Sequence, residues 1–117
     1  MDNLANVAIL EGIDEQTRSK LLDLASATLQ NKVDVLRGGR SIYVIALELG
    51  LKDTRPFEYL WALNDDFSEL WLSDSDRDAR HRDLLASKDK ALADCAEFYK
   101  ERVYATCRYI ESALGPK

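Results

Sequence analysis

One segment constrains the fold of this chain more than any other: residues 75–114 contain neither glycine nor proline. The whole sequence has only five glycines and two prolines, and it is rich in residues that favour helices. Within the segment, Leu92, Val103 and Leu114 recur every eleven residues, a period that one nearly straight helix satisfies. The sequence therefore predicts a long C-terminal helix over 75–114.

A second apolar row on this segment repeats every seven residues and consists of Leu84, Ala91, Phe98 and Ala105. A helix with two apolar rows needs two surfaces to pack against. Unbroken, the helix would be about 60 Å long at 1.5 Å per residue, whereas a globule of this chain length is about 28–30 Å across. We therefore expect the helix either to break near 86–87 or to extend into another subunit.

Shorter helices are expected over 3–11, 15–37, 41–50 and 54–72. Apolar residues at spacings of three and four support the 15–37 helix, and Asp14 is a suitable N-cap for it. Gly38 and Gly39 are expected to end that helix, because glycine commonly follows a last helical turn.

The 41–50 segment is ambiguous, because its β-branched and aromatic residues favour a strand. No second strand-like run exists to pair with it, and a lone strand leaves its backbone groups unpaired. We therefore expect a short helix, with Ser41 as N-cap and Gly50 after its last turn. Because it is apolar almost all round, the helix is expected to be buried.

Composition and charge exclude several classes of protein. The net charge is −5, from 16 basic and 21 acidic residues, and no segment forms a basic stripe, so direct DNA or RNA binding is not expected. No apolar run is long enough for a membrane span, and the N-terminus lacks a basic region before its apolar part. We therefore expect a cytoplasmic protein whose single domain spans 1–117.

The chain carries no recognisable catalytic motif. Its one histidine, His81, precedes Cys95 by fourteen residues, so on a continuous helix the imidazole reaches neither Cys95 nor Cys107. The two thiols lie about 18 Å apart along the helix axis and are expected to be reduced and largely buried. Neither enzymatic activity nor a cofactor is expected.

The acidic stretch DSDRDARHRD, at 74–83, has two interpretations. Acids that precede bases by four positions, near a serine cap, are typical of the solvated start of a helix. Alternatively, Asp74, Asp78 and His81 share a helix face and would suit zinc or iron in a small metal-binding or enzymatic protein. A calcium loop does not fit, because the required glycine and final glutamate are missing.

Aromatic residues concentrate on the two C-terminal helices. In the 54–72 helix, a stripe containing Phe57, Trp61 and Phe67 is expected to form core, so apolar residues off this stripe are available to other proteins. Tyrosine, tryptophan and arginine are enriched at interface hot spots. The candidate partner-binding residues are Tyr59, Leu63, Leu70, Phe98, Tyr104 and Arg108.

In length, acidic balance and its 54–72 and 75–114 helices, the chain resembles the small helical bacterial antiactivators of quorum sensing. That resemblance implies binding to a LuxR-type transcription activator, which is thereby kept off DNA, and it implies no particular functional residue.

Together these features predict an all-α bundle of four or five helices with a long C-terminal helix, forming a homodimer. The expected function is non-enzymatic inhibition of a partner protein, by covering its dimerisation or DNA-binding surface. A purely structural homodimer is the remaining alternative.

Overall fold

A computed structural model of the chain describes residues 10, 12–51, 57–70 and 82–115. These residues form an all-α bundle, with no strand in the described ranges. The main helices are α1 (Glu15–Leu29), α2 (Val35–Leu49), α3 (Leu60–Leu70) and α4 (Arg82–Leu114). Of the helix predicted over 3–11, only Leu10 is described, and it is helical and buried. The all-α prediction is confirmed.

The α4 helix runs through 33 residues without interruption, so the first of the two expected alternatives, a break near 86–87, is wrong. At 1.5 Å per residue α4 is about 50 Å long, and the bundle measures 50 × 25 × 23 Å. The buried side chains of α4 begin at Tyr99, whereas every described side chain from 85 to 98 is half-buried or exposed. The first half of α4 thus lies at the edge of the core, against which Leu92, Cys95 and Ala96 are half-buried.

The helix predicted over 15–37 is wrong at its C-terminal end. Its start is as predicted, since the Asp14 carboxylate accepts a 2.7 Å hydrogen bond from the Thr17 N–H. The helix stops early because Asn31 adopts a left-handed conformation, with φ of 59°, and Lys32 N–H closes the end on the Ala27 carbonyl at 2.9 Å. Asparagine is one of the few residues that tolerate this conformation, and the pattern is a Schellman end.

Gly38 and Gly39 lie inside α2 and do not end a helix. Asp34 is the N-cap of α2, and both glycines are buried where neighbouring helices approach closely. A Cβ on Gly38 would overlap the Thr28 hydroxyl, and a Cβ on Gly39 would lie 2.8 Å from Leu63 Cδ1. These positions therefore select glycine for close helix packing, which a local pattern does not reveal.

The prediction that 41–50 is helical is confirmed, although the segment is the second half of a longer helix capped by Asp34 instead of Ser41. Gly50 follows the last turn with φ of +80°, a conformation that glycine adopts without strain. The expected burial all round is wrong, because Val44 and Leu47 are exposed. The reason is that α2 buries only the face that meets the other three helices.

The helix predicted over 54–72 is shorter at its start, because Phe57 to Tyr59 form a turn and the helix begins at Leu60. The prediction of which side of this helix faces the core is also partly wrong, since Trp61 was expected inside and Leu63 outside. Leu63 is completely buried, whereas Trp61 is 58% exposed. Both residues are apolar, and contacts with α2 and α4 select the side of α3 that faces the core.

The helices α1 and α3 pack on opposite sides of the pair formed by α2 and α4. Arg18 donates from Nε and Nη2 to the Leu114 carbonyl, at 2.9 and 2.6 Å, so the start of α1 lies beside the end of α4. Tyr59 similarly meets Thr106, while Asp66 meets Tyr99. Both α1 and α3 therefore run antiparallel to α4. None of the described helices combines the length and the apolar character that a membrane span requires.

Candidate interaction surfaces

Four large apolar side chains among the described residues are exposed to solvent: Val44, Leu47, Trp61 and Phe98. Exposed apolar residues mark interaction sites when they group on one surface, whereas scattered ones are normal. Three of them lie on two surfaces: Val44 and Leu47 are on the outer face of α2, and Phe98, the most exposed at 66%, is on α4. Trp61, on α3, belongs to neither surface.

The first surface is an open groove between α2 and α3, here called the α2–α3 groove, lined by Arg37, Arg40, Ser41, Val44 and Phe67. Its volume is about 380 Å³. Phe67 is almost completely buried and forms its floor, and the Arg40 guanidinium lies 5.6 Å from the centre of that ring. This cation–π contact holds one cationic group at the edge of an apolar depression.

On the outer face of α2, cationic residues come first and aliphatic residues follow. Arg37, Arg40, Val44 and Leu47 are three or four residues apart, so they follow one another along a single helix face. The first two are cationic and the last two aliphatic, and all four are exposed. The outer face of α2 therefore presents positive charge towards its start and apolar surface towards its end, and the groove lies beside Arg37, Arg40 and Val44.

The second surface, here called the Phe98 face, is a row of every third or fourth residue on α4. It consists of Ser87, Ala91, Asp94, Phe98, Glu101, Ala105, Arg108 and Ser112. All are exposed except Ala91, which is half-buried. Phe98 is thus the one large apolar residue on this face, among small and charged ones. The face includes Ala91, Phe98 and Ala105, three members of the apolar row that repeats every seven residues in the sequence.

Phe98 is held in place by its neighbours. Its ring meets Tyr99 edge-on with centroids 4.9 Å apart, and the Arg102 guanidinium lies 5.6 Å from its centre. Tyr99 in turn stacks on Tyr59 at 6.4 Å. The exposed ring is therefore the outer member of an aromatic row that reaches into the seam between α3 and α4.

Hydrogen bonds anchor the inner part of that row. The Tyr99 hydroxyl donates to Asp66 at 2.6 Å. The Thr106 hydroxyl is already donated to the Arg102 carbonyl, so Tyr59 is the donor in its 2.8 Å bond to Thr106. Burial raises the pKa of both tyrosine hydroxyls, and the carboxylate of Asp66 adds to the effect at Tyr99. Both side chains act as neutral structural donors.

The structure brings together some of the residues predicted to bind a partner. Tyr59 and Phe98 meet through Tyr99, while Arg108 is exposed further along the Phe98 face. Tyr104 lies on the side of α4 that faces α1, and its hydroxyl donates to Asn31 at 2.8 Å.

Leu63 is in the core, so the prediction that it points outward is wrong. Contacts with α2 turn it inward, and Gly39 leaves room for it. The backbone of Leu70 ends α3, but its side chain lies outside the described residues.

The α2–α3 groove was not predicted from the sequence, although the spacing of Arg37, Arg40, Val44 and Leu47 is a signal for one helix face. A helix end was expected at Gly38 and Gly39, which placed Arg37 in one helix, Arg40 between two helices and the aliphatic residues in the next.

The described residues contain no group of three or more His, Cys, Asp or Glu side chains arranged for a metal ion. Asp74, Asp78 and His81 lie outside those residues. Both cysteines are free, with Cys95 half-buried and Cys107 fully buried. Burial raises the pKa of Cys107 to about 11 and also raises that of Cys95, which disfavours the reactive thiolate.

Comparisons of the chain with protein-family models, with curated proteins and with solved structures find no match. The resemblance to quorum-sensing antiactivators therefore remains a prediction from overall organisation. Function has to be inferred from the chemistry of the two surfaces.

Proposed function

We propose that the protein is a non-enzymatic, cytoplasmic regulator that binds a partner protein through the α2–α3 groove and thereby blocks a surface that the partner needs. One observation carries this proposal: the groove joins the exposed Val44, next to Leu47 on the same face of α2, to an arginine stacked on an aromatic floor. The partner class that the sequence resemblance favours is a transcription activator, whose dimerisation or DNA-binding surface would be covered.

The groove suits an amphipathic helix. An incoming helix would place apolar residues, spaced three and four apart, on Val44 and Leu47. Acidic residues one or two turns away would then lie near Arg37 and Arg40. Arginine is favoured for such contacts because its planar group can bind a carboxylate with two parallel hydrogen bonds.

Charge and shape argue for protein over other ligands. The groove is open along its length, whereas pockets for small molecules bury most of the ligand. Two arginines in a chain of net charge −5 supply little attraction for a nucleic acid backbone. A polypeptide of opposite local charge, with apolar anchors, satisfies both the cationic and the apolar part of this surface.

The proposal is tested by affinity purification from the native host, with identification of bound proteins by mass spectrometry. Arg40→Glu and Val44→Asp should each abolish recovery of the specific partner, since one reverses the charge and the other places a carboxylate on apolar surface. Lys20→Glu is the matched control, because it makes the same charge change at an exposed position on α1, on the opposite side of the bundle from α3.

Recovery of the same partner with both groove variants would contradict the proposal, as would recovery of only the protein itself. If the identified partner is a DNA-binding activator, a gel shift with its operator should weaken when wild-type protein is added, and Arg40→Glu should leave the shift intact.

A further inference from the structure

We propose that the Phe98 face pairs with the same face of a second copy of the chain, in an antiparallel arrangement whose two-fold axis passes between Glu101 and Arg102. This inference is independent of the α2–α3 groove and does not require a partner protein. It rests on the size, charge and exposure of the side chains along α4.

Side-chain sizes along the face favour self-pairing with an offset. Phe98 is 66% exposed and lies seven residues from Ala91 and from Ala105. In the proposed arrangement, positions whose numbers add to about 203 face each other, so Phe98 of each copy lies against Ala105 of the other. A large ring then meets a small residue twice, which lets the two helices approach closely.

Charges determine the direction of pairing. Asp94, Glu101 and Arg108 are seven residues apart on this face, and all three are exposed. In a parallel two-fold pair each of them would face the same residue of the second copy, which gives three contacts between like charges. In the antiparallel pair Asp94 faces Arg108 of the second copy, and only Glu101, beside the axis, faces the same residue of the second copy.

The Asp94–Arg108 pair occurs twice, because a two-fold interface uses the same patch on both copies. The antiparallel pair thus has two opposite-charge contacts and one like-charge contact, whereas the parallel pair has three like-charge contacts. Such charges select the orientation and the partner more than they add affinity. The same row of residues therefore disfavours the parallel form and favours the antiparallel one.

The face is already ordered for binding. Arg102 and Tyr99 hold the Phe98 ring, so little side-chain freedom is lost when it is covered. The surface that the second copy covers runs from Ser87 to Ser112, and all of its side chains are exposed except the half-buried Ala91.

Sedimentation equilibrium of the full chain tests the proposal, because a monomer of 13.3 kDa and its dimer are readily distinguished. Wild-type protein should show a dimer whose Kd rises about tenfold or more in Phe98→Ala, as expected for a central interface residue. Trp61→Ala is the control, because Trp61 is similarly exposed but points away from α4. It lies roughly 140° around α3 from Asp66, which contacts Tyr99 of α4. This variant should leave the Kd unchanged.

A charge exchange distinguishes this register from any other. Asp94→Arg and Arg108→Asp should each weaken the dimer, because each creates two like-charge contacts. The double variant should restore the wild-type Kd, because opposite charges face each other again. A parallel pair would show no such restoration, since each residue would face the same residue of the second copy in every variant. Circular dichroism of every variant checks that the helices are retained.

A protein that stays monomeric at 100 μM would overturn the proposal. So would a dimer that survives Phe98→Ala and both charge reversals, or one in which the double variant is not restored. None of these results bears on partner recovery through the α2–α3 groove, so the two proposals fail separately.

Discussion

Gly38 lies against Thr28 where α2 crosses α1, so closely that a Cβ on the glycine would overlap the threonine hydroxyl. Thr28 is completely buried and donates a 2.7 Å hydrogen bond to the Leu24 carbonyl, which fixes its side chain. Glycine inside a helix costs roughly 1 kcal/mol relative to alanine. The fold accepts that cost because the two helices can then approach closely.

Gly38→Ala should therefore destabilise the protein by about 1–3 kcal/mol, the usual penalty for overpacking, despite the better helix propensity of alanine. Gly39→Ala should cost less, because its closest neighbour is the end of the Leu63 side chain, which can shift. Urea unfolding of both variants measures this. In a Thr28→Ala background the cost of Gly38→Ala should shrink, and an unchanged cost would contradict the contact.

Leu63 and Trp61 should respond in opposite ways to truncation. Leu63→Ala creates a cavity at a fully buried position and should lower the free energy of unfolding by about 2–5 kcal/mol. Trp61→Ala removes a larger side chain that is 58% exposed, so it should change stability by only about 0.5 kcal/mol. Equal losses in thermal or urea unfolding would show that the assignment of the two faces of α3 is wrong.

Stability should fall in alkaline solution because of Tyr59 and Tyr99. The pKa of each hydroxyl is raised above its ordinary value of 10.0, mainly by burial. The folded protein therefore holds these protons more tightly than the unfolded chain, and their contribution is present below pH 10 and lost as the pH rises further.

Absorbance at 295 nm follows the tyrosinate form directly. Wild-type protein should show a late part of the titration that Tyr59→Phe and Tyr99→Phe each reduce. If each variant instead lowers the absorbance change equally at all pH values, burial does not raise the pKa of these two hydroxyls.

The two cysteines should differ in reactivity toward a disulfide reagent at pH 8. Cys107 is fully buried with a pKa of about 11, so only about one thiol in a thousand is ionised at that pH. It should react only when the protein unfolds, whereas the half-buried Cys95 should react slowly in the native protein. Cys95→Ser assigns the native reaction, and rapid modification that persists in this variant would contradict the burial of Cys107.

Purified protein should contain no stoichiometric zinc or iron by elemental analysis, as the proposed non-enzymatic role predicts. The opposite result, with metal lost in His81→Ala, would favour the alternative in which Asp74, Asp78 and His81 are ligands. Protein purified without chelators, and after dialysis against zinc, provides the two necessary conditions.

The sequence by itself determined the helical class, the presence of a long C-terminal helix and the C-terminal end of α2. Each depends on chemistry that acts within a few residues: a segment without glycine or proline, an eleven-residue apolar period, and a left-handed glycine at Gly50. Local propensity and local hydrogen bonds suffice for such features, so they could be predicted before any contact between helices was known.

Only the tertiary structure decided which apolar side chains are buried and what the paired glycines do. Local preference favours Gly38 and Gly39 at a helix end, and only the close approach of Thr28 and Leu63 gives them their place inside α2. Likewise, the spacing of apolar residues along α3 by itself permits either Trp61 or Leu63 to face inward. The choice is made by the helices that dock on α3, because burial is a relation between segments distant in sequence.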